Sequence, residues 1–345
     1  MNPSLDPRPA PVQASPLGQT LALPAEPAAR TAAGASRFRK GMGPLLQNPK
    51  VMVGVAILLA FTIIAILAPV IAPGDPADII ARRHLAPSSE YWFGTTGGGQ
   101  DVFAQTVWGA RLSLSIGVAV GLVTTALGAL IGMTAGYFGG RVDDVLSLVM
   151  NVFLIIPSVP LLVVLSAFLG SGNPAYFIFV LGLTGWAWPA RVLRSQTLSL
   201  REKDFVSAAE ISGERSFRII FQDILPNMTS IAVAGMFGSI IYAIGALTAL
   251  EFLGLGNPSV VSWGTNLYWA ANNGALLTGA WWTVLPAGLC VAIVAFAFAM
   301  VNYAVDEVTN PRLRAERETR HVLGRTHRAI RGSRATPVLR DQPAG

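Results

Sequence analysis

Six stretches of this sequence are long, apolar and uncharged in their interior, and no other feature limits its fold so strongly. They run near residues 51–72, 112–135, 145–169, 175–190, 228–250 and 282–305. Each is long enough to cross most or all of roughly 30 Å of hydrocarbon at about 1.5 Å per helical residue. Lipid offers the backbone no hydrogen-bonding partner, so segments of this kind must satisfy their amides internally as helices. Composition agrees: 52% of residues are hydrophobic and 13% charged, against roughly 25% charged in soluble domains. The expectation is an all-α polytopic membrane protein with six transmembrane helices.

The charges lie at the ends of these stretches and give an orientation. All of the 25 lysines and arginines except Arg82, Arg83 and Arg111 fall on one side of the predicted bilayer. By the positive-inside rule both termini are cytoplasmic, and the net charge of +6 records topology, with no nucleic-acid partner expected. Residues 1–47 are rich in Pro and Ala without apolar periodicity, which predicts a disordered cytoplasmic segment with no signal-peptide core. The membrane-embedded body occupies 48–314, and 315–345 reads as a basic cytoplasmic tail, disordered in solution or held at anionic lipid headgroups. Trp281 and Trp282 fit an outer aromatic belt.

Rare residue types exclude whole chemistries. Cys290 is the single cysteine, and His84, His321 and His327 lack metallopeptidase spacing. Lys40, Lys50 and Lys203 are the only lysines, and none stands in the Gly-Lys-Ser/Thr context of a phosphate-binding loop. No metal, no cofactor and no catalytic residue is expected.

Gly117, Gly121, Thr125, Gly128, Gly132 and Gly136 recur every three or four residues, a small-residue stripe along one helix face where another helix can approach closely. Pro157, Pro160, Pro189 and Pro286 predict kinks or local unwinding. Between the fourth and fifth stretches, residues 191–226 leave the membrane. Ser199 and Glu202 have capping-box spacing, Gly213 is a natural helix stop, and a second short helix is expected from about Ser216 to Pro226. Two readings fit this pair on pattern alone: helices lying on the membrane surface, or a docking knob for a cytoplasmic partner.

The stretch Arg201-Glu202-Lys203-Asp204-Phe205-Val206-Ser207-Ala208-Ala209, with Gly213 and Leu225-Pro226-Asn227 following, resembles the EAA signature of ABC-importer permeases. More closely, the chain resembles the second permease subunit of dipeptide/oligopeptide importers. The resemblance covers about three quarters of the chain. It includes Asn48-Pro49, Leu67-Ala68-Pro69, Gly94-Thr95, Asp101-Val102 and Gly109-Ala110-Arg111. It continues through Ala135-Gly136-Tyr137-Phe138-Gly139-Gly140, Ile156-Pro157-Ser158, Phe252-Leu253-Gly254-Leu255-Gly256, Ser262-Trp263-Gly264 and Asn310-Pro311-Arg312.

The resemblance implies a bacterial inner-membrane permease that is not itself an enzyme. It would work with two cytoplasmic ATP-binding subunits, a second homologous permease and an extracytoplasmic solute-binding protein. Asp204, Ala208, Ala209, Gly213, Leu225 and Pro226 would then form the ATPase-coupling helix pair. Gly117, Gly121, Gly128, Gly132 and Gly136 would pack helices, extending to an interface with the second permease. The solute path would run between the two permeases, and loop aromatics including Tyr91, Trp92, Trp263 and Trp269 would face the binding protein or anchor at the interface. Peptides are the implied solute, with nickel complexes or glutathione as alternatives.

The chain also departs from the pattern. Ser207 replaces the family's usual Glu, Asp223 stands two before Leu225 where His is common, and Gly97-Gly98-Gly99-Gln100 replaces an outer-loop acid and arginine. Leu247 occupies a usually acidic position, with Glu251 one turn further out and Arg111 a possible ion partner for it. An ion-coupled carrier needs ionisable or ion-coordinating groups near mid-membrane. The six stretches contain no ionisable one, so uphill transport would draw its energy from another polypeptide, ahead of a carrier, channel or scaffold role.

Overall fold

The computed structural model describes residues 48–169, 173 and 175–309. The expectations for 1–47, for the tail at 315–345 and for the motif at 310–314 lie outside the described residues. Within them the regular structure is helical, apart from one isolated bridge between Thr95 and Asp101.

Helix α1 (Pro49–Ile71) starts at Asn48, whose side chain accepts from the Lys50 amide at 3.1 Å, with Pro49 in the first turn where its missing N–H costs nothing. Helix α2 (Val102–Phe138) is capped by Asp101 and is 37 residues long, so it extends well beyond the predicted 112–135. At about 1.5 Å per residue it spans roughly 55 Å and projects past the hydrocarbon. Gly139 and Gly140, both at positive φ, turn the chain sharply into α3 (Gly140–Ile155). Helices α4 (Ser158–Leu169), α5 (Ala175–Gly185), α6 (Ala187–Arg201) and α7 (Asp204–Ile211) follow. Then a helical turn (Ser216–Arg218) and a π-helical segment (Ile219–Ile224) run into α8 (Leu225–Phe252). Helix α9 (Trp263–Asn272), a 3₁₀ turn (Trp281–Thr283) and α10 (Leu285–Thr309) complete the described chain.

Four helical segments are long and apolar enough to cross a membrane: α1, α2, Ser216–Phe252 and Leu285–Val305. Two bent pairs, α3 with α4 at 85° and α5 with α6 at 44°, bring the number to six if each pair is one span. The first break falls at Ile156-Pro157, where Ile156 is held extended as residues before proline are. The second falls at Gly185-Trp186, ahead of Pro189, which sits in the first turn of α6. Pro286 kinks nothing. It is the second residue of α10, where a proline initiates a helix.

The expected two-helix loop is corrected in two respects. Ser199 does not cap a helix, because α6 continues through it to Arg201. From Pro189 to there the sequence offers neither Gly nor Pro to stop it. The second short helix is not separate either: the chain from Ser216 runs without interruption into α8. Its π segment adds a residue to the turn, and the Leu225 amide bonds back five residues to the Ile220 carbonyl. This widened turn immediately precedes Pro226, whose ring and missing N–H disfavour a regular α-helical turn.

Helix α2 is the axis of the bundle, packing on α1, α3, α5, α6, α8 and α9. Its small-residue stripe is covered by the chain's own helices, so the expectation that it meets a second permease is corrected. Gly117 and Gly121 lie under Ile244 and Ile240 of α8, while Gly128 and Gly132 lie against the backbone of Pro189 and Ala190 in α6. A methyl at Gly136 would come within 2.8 Å of the Arg194 carbonyl. Gly132→Ala should therefore destabilise the protein by about 1–3 kcal/mol, since only backbone of Ala190 stands in the way. Gly245→Ala, in a helix with nothing nearby, should be neutral or stabilising by up to about 1 kcal/mol. Denaturation of the purified variants in one detergent would compare them, and equal stability would refute the backbone contact.

Candidate functional site

The C-terminal end of α2 carries the helix expected to couple to a partner. Helix α7 has eight residues, and Val206 is the one that is buried. Its side chain joins a cluster with Met133, Tyr137, Leu193, Ile219, Ile220, Ile224 and Met228, which gathers α2, α6, the π segment and α8. One turn on, Glu210 accepts a hydrogen bond from the Tyr137 hydroxyl at 3.1 Å. Glu210 thus ties α7 to the last turn of α2, and Val206 packs it into the cluster beside α6 and the π segment.

The C-terminus of α7 is closed by a Schellman motif: Gly213 N–H donates to the Glu210 carbonyl at 3.0 Å and Glu214 N–H to the Ala209 carbonyl at 3.1 Å. Gly213 takes φ +75°, which suits glycine. Of the other residues singled out from sequence, Asp204 and Ala208 are exposed and Ala209 is half-buried. Leu225 and Pro226 lie at the start of α8, beyond the π segment.

Sequence reasoning missed the apolar residues left in the open here. Ile211 is 87% exposed, Phe217 71% and Phe205 40%. Phe217 stacks on Phe221 with ring centroids 4.5 Å apart. The signal was present: a large apolar residue beside a glycine stop has no helix face to return to. Further along, Asp143 receives two hydrogen bonds from the Arg194 guanidinium, the Nη2 contact at 2.6 Å, tying α3 to α6 near this end.

The N-terminal end of α2 is locked differently. Trp263 is fully buried, so it does not face a binding protein: it donates from Nε1 to the Thr106 carbonyl at 3.1 Å and meets Phe61 edge-on. Its amide donates to the Ser113 hydroxyl at 3.2 Å. Glu251, 4% exposed, accepts from the Ser262 hydroxyl at 2.6 Å beside the start of α9. Arg111 forms no pair with it. The guanidinium lies over the Trp108 ring instead, 5.5 Å from its centroid. Trp92 and Trp269 are exposed, the latter donating to the Pro258 carbonyl.

Between these ends lies a cavity of about 750 Å³. Both helix breaks contribute to its wall, through Ile156-Pro157-Ser158 and Gly185, as do Gly235 and Gly238 of α8 and Asn302 of α10. None of its lining residues is charged.

A bundle with broken helices, an uncharged cavity and one short helix fastened at its end is compatible with a membrane permease. Comparison with known proteins gives the family. Residues 128–314 match the binding-protein-dependent transport system inner membrane component family, and residues 36–87 match the N-terminal TM domain of oligopeptide transport permease C. The chain is 32% identical over 274 residues to the dipeptide transport system permease protein DppC of Bacillus subtilis (78% of this chain, 84% of the relative). It is 34% identical over 267 residues to the oligopeptide transport system permease protein OppC of Mycobacterium bovis (76% and 91%). A putative peptide transport system permease protein of Brucella suis is 34% identical over 276 residues (79% and 91%). The chain belongs to the family of inner membrane components of binding-protein-dependent transport systems. It is a multi-pass inner-membrane permease subunit of an ABC importer, not an enzyme.

The attachment of α7 can be measured. Tyr137→Phe and Glu210→Ala, made singly and together, should show a coupling of about 0.5–1.5 kcal/mol in a double-mutant cycle on unfolding. Strict additivity would show that the hydroxyl and carboxylate do not interact.

Proposed function

We propose that this chain is one of two permease subunits of an ATP-driven importer of di- or oligopeptides, and that α7 with the start of the Ser216–Phe252 segment receives the stroke of two cytoplasmic ATPases. The carrying observation is the two-sidedness of α7. Val206 and Glu210 hold its inner side to α2, while Phe205, Ile211 and Phe217 nearby are left in the open. Exposed apolar groups of this size mark contact surfaces, and a helix fixed by one buried side chain can move as a unit with what it is fixed to. Asp204, Ala208, Ala209 and Gly213 complete the element, and Leu225 and Pro226 open the span that it feeds.

Peptide is the solute that the names of the relatives support, since these are described as dipeptide and oligopeptide permeases. Counting each bent pair as one span gives six crossings, with both termini and α7 on the cytoplasmic side, in accord with the distribution of Lys and Arg. The solute would pass through the uncharged cavity, closed on its open side by the second permease, after delivery by the binding protein. Rocking between inward- and outward-open states would bend the chain at Pro157 and Gly185, the breaks in the cavity wall.

In vesicles the chain alone should concentrate no peptide, whereas the complex with a second permease, the ATPases and the binding protein should do so only with ATP. Accumulation by the chain alone would end this reading. Gly213→Val forces a β-branched residue to φ +75° and should abolish ATP-dependent uptake, with the protein still in the membrane. Uptake at the parental rate would show that α7 does not transmit the stroke.

A further inference from the structure

A groove of about 930 Å³ lies between α1 and α2, towards the N-terminal end of α2, and shares no lining residue with the cavity above. Its walls are mostly apolar, from Ala65 and Ile66 of α1, Leu112 and Val118 of α2, and Val261 of the loop before α9. Thr62 and Ser115 also stand there. Each turns its hydroxyl back on its own helix, to the Leu58 carbonyl at 2.7 Å and the Leu112 carbonyl at 3.0 Å. This part of the wall asks for no polar partner and suits a hydrocarbon chain.

Two charges interrupt the apolar lining, Arg111 and Asp75. Arg111 is the one charged residue of α2. Three residues before it, the Trp108 indole donates to the Ala72 carbonyl at 2.9 Å, just past the end of α1. Arg111 therefore stands less than one helical turn from the level at which α1, a candidate membrane span, ends. That level is a boundary of the hydrocarbon. The Trp108 ring, fixed by its own hydrogen bond, steadies the guanidinium 5.5 Å from its centroid. It does not neutralise it, and among the described residues no carboxylate pairs with Arg111. Asp75 is exposed in the loop after α1 and accepts from the Ala77 amide at 2.9 Å. Among the described residues it too has no cationic partner.

A guanidinium at the edge of hydrocarbon attracts an anion, and the anion that a bilayer supplies at this depth is phosphate, whose oxygens match the fork of an arginine. A carboxylate in the same groove disfavours a headgroup that is only negative and favours one that also carries an ammonium. We propose that this groove binds one zwitterionic phospholipid of the phosphatidylethanolamine type. Arg111 takes the phosphate, and Asp75 selects for the ammonium. One acyl chain lies along the face of α2 that carries Leu112, Ser115 and Val118, against Ala65 and Ile66 of α1. A lipid seated there fills the cleft between α1 and the axis of the bundle, so its binding stabilises the folded subunit.

The test uses the complete importer, stripped of lipid in detergent and titrated with dioleoyl phosphatidylethanolamine, phosphatidylglycerol or phosphatidylcholine, with bound lipid counted by native mass spectrometry. The ethanolamine lipid should bind first. Arg111→Gln should weaken it roughly tenfold. Asp75→Asn, whose amide oxygen can still accept from Ala77, should weaken it roughly threefold and bring the glycerol lipid level with it. Val118→Trp, which fills the groove, should weaken all three lipids. The ethanolamine lipid should raise the melting temperature of the parent and leave that of Arg111→Gln unmoved. Undiminished binding by Arg111→Gln overturns the site, and equal affinity of the parent for ethanolamine and glycerol lipids overturns the role of Asp75. If Arg111→Gln does not assemble, Asp75→Asn and Val118→Trp decide. A photo-crosslinker at Ser115 in the membrane-embedded importer should capture phospholipid. Capture of the second permease or the binding protein instead would show that a protein fills the groove and would overturn the proposal.

Discussion

Lipid gives helices little hydrophobic reason to associate, since acyl chains are as apolar as leucine, so contact must come from close fit. In this chain the fit is the approach of α6 and α8 to the glycine face of α2. At Gly128, Gly132 and Gly136 the neighbour is largely backbone of α6, and at Gly117 and Gly121 it is isoleucine side chains of α8. Side chains with no Cβ on one partner allow the axes to come near enough for dispersion contacts to accumulate. The rest of the architecture is hung on this face. α2 also packs on α1, α3, α5 and α9, and the Trp263 lock and α7 attach near its two ends.

That arrangement has a mechanical consequence. α2 is continuous, while the α3–α4 and α5–α6 pairs are each broken at a proline or glycine site. At the outer end Trp263 and Asn266 bond to the α2 backbone at Thr106 and Gln105. At the inner end Tyr137 holds Glu210 and shares a cluster with Val206. If α7 is displaced as proposed, the movement would reach the last turn of a long continuous helix. The pieces that can bend, around Pro157 and Gly185, are those that wall the cavity.

Much of this was legible in the sequence, for reasons that differ from residue to residue. Apolar runs gave the membrane segments because a backbone in lipid has one way to satisfy itself there. Gly213 was readable as a stop because positive φ selects glycine in any context. What failed were readings that depended on tertiary surroundings. Ser199 and Glu202 have a capping spacing, but a helix that is not interrupted needs no cap, and α6 runs through both Ser199 and the end of the predicted crossing. Trp263 looked like an interfacial aromatic, yet the neighbouring backbone of α2 offers its indole a buried acceptor. Arg111 and Glu251 have opposite charge and similar depth, and each found another partner. The cavity could not be read at all, because its wall comes from Thr125, Pro157, Gly185, Gly238 and Asn302, which only the fold brings together.

The departures from the family pattern carry a last physical point. Leu247, where an acid is usual, is fully buried in an apolar cluster with Ile116, Val120, Leu181 and Leu250. The carboxylate one turn on, Glu251, is spent on the Ser262 hydroxyl beside the start of α9, away from the cavity. Mid-membrane ionisable groups are expensive and persist where an ion or proton must be handled. Neither acid position here handles one: the first has become core, and the second fastens a loop. A wall with no acid, lysine, arginine or histidine among its lining residues accords with the proposal that the free energy for accumulation arrives as displacement. Under the proposal above, that displacement would enter through α7, which is attached by buried Val206, by Ala209 and by the hydrogen-bonded Glu210.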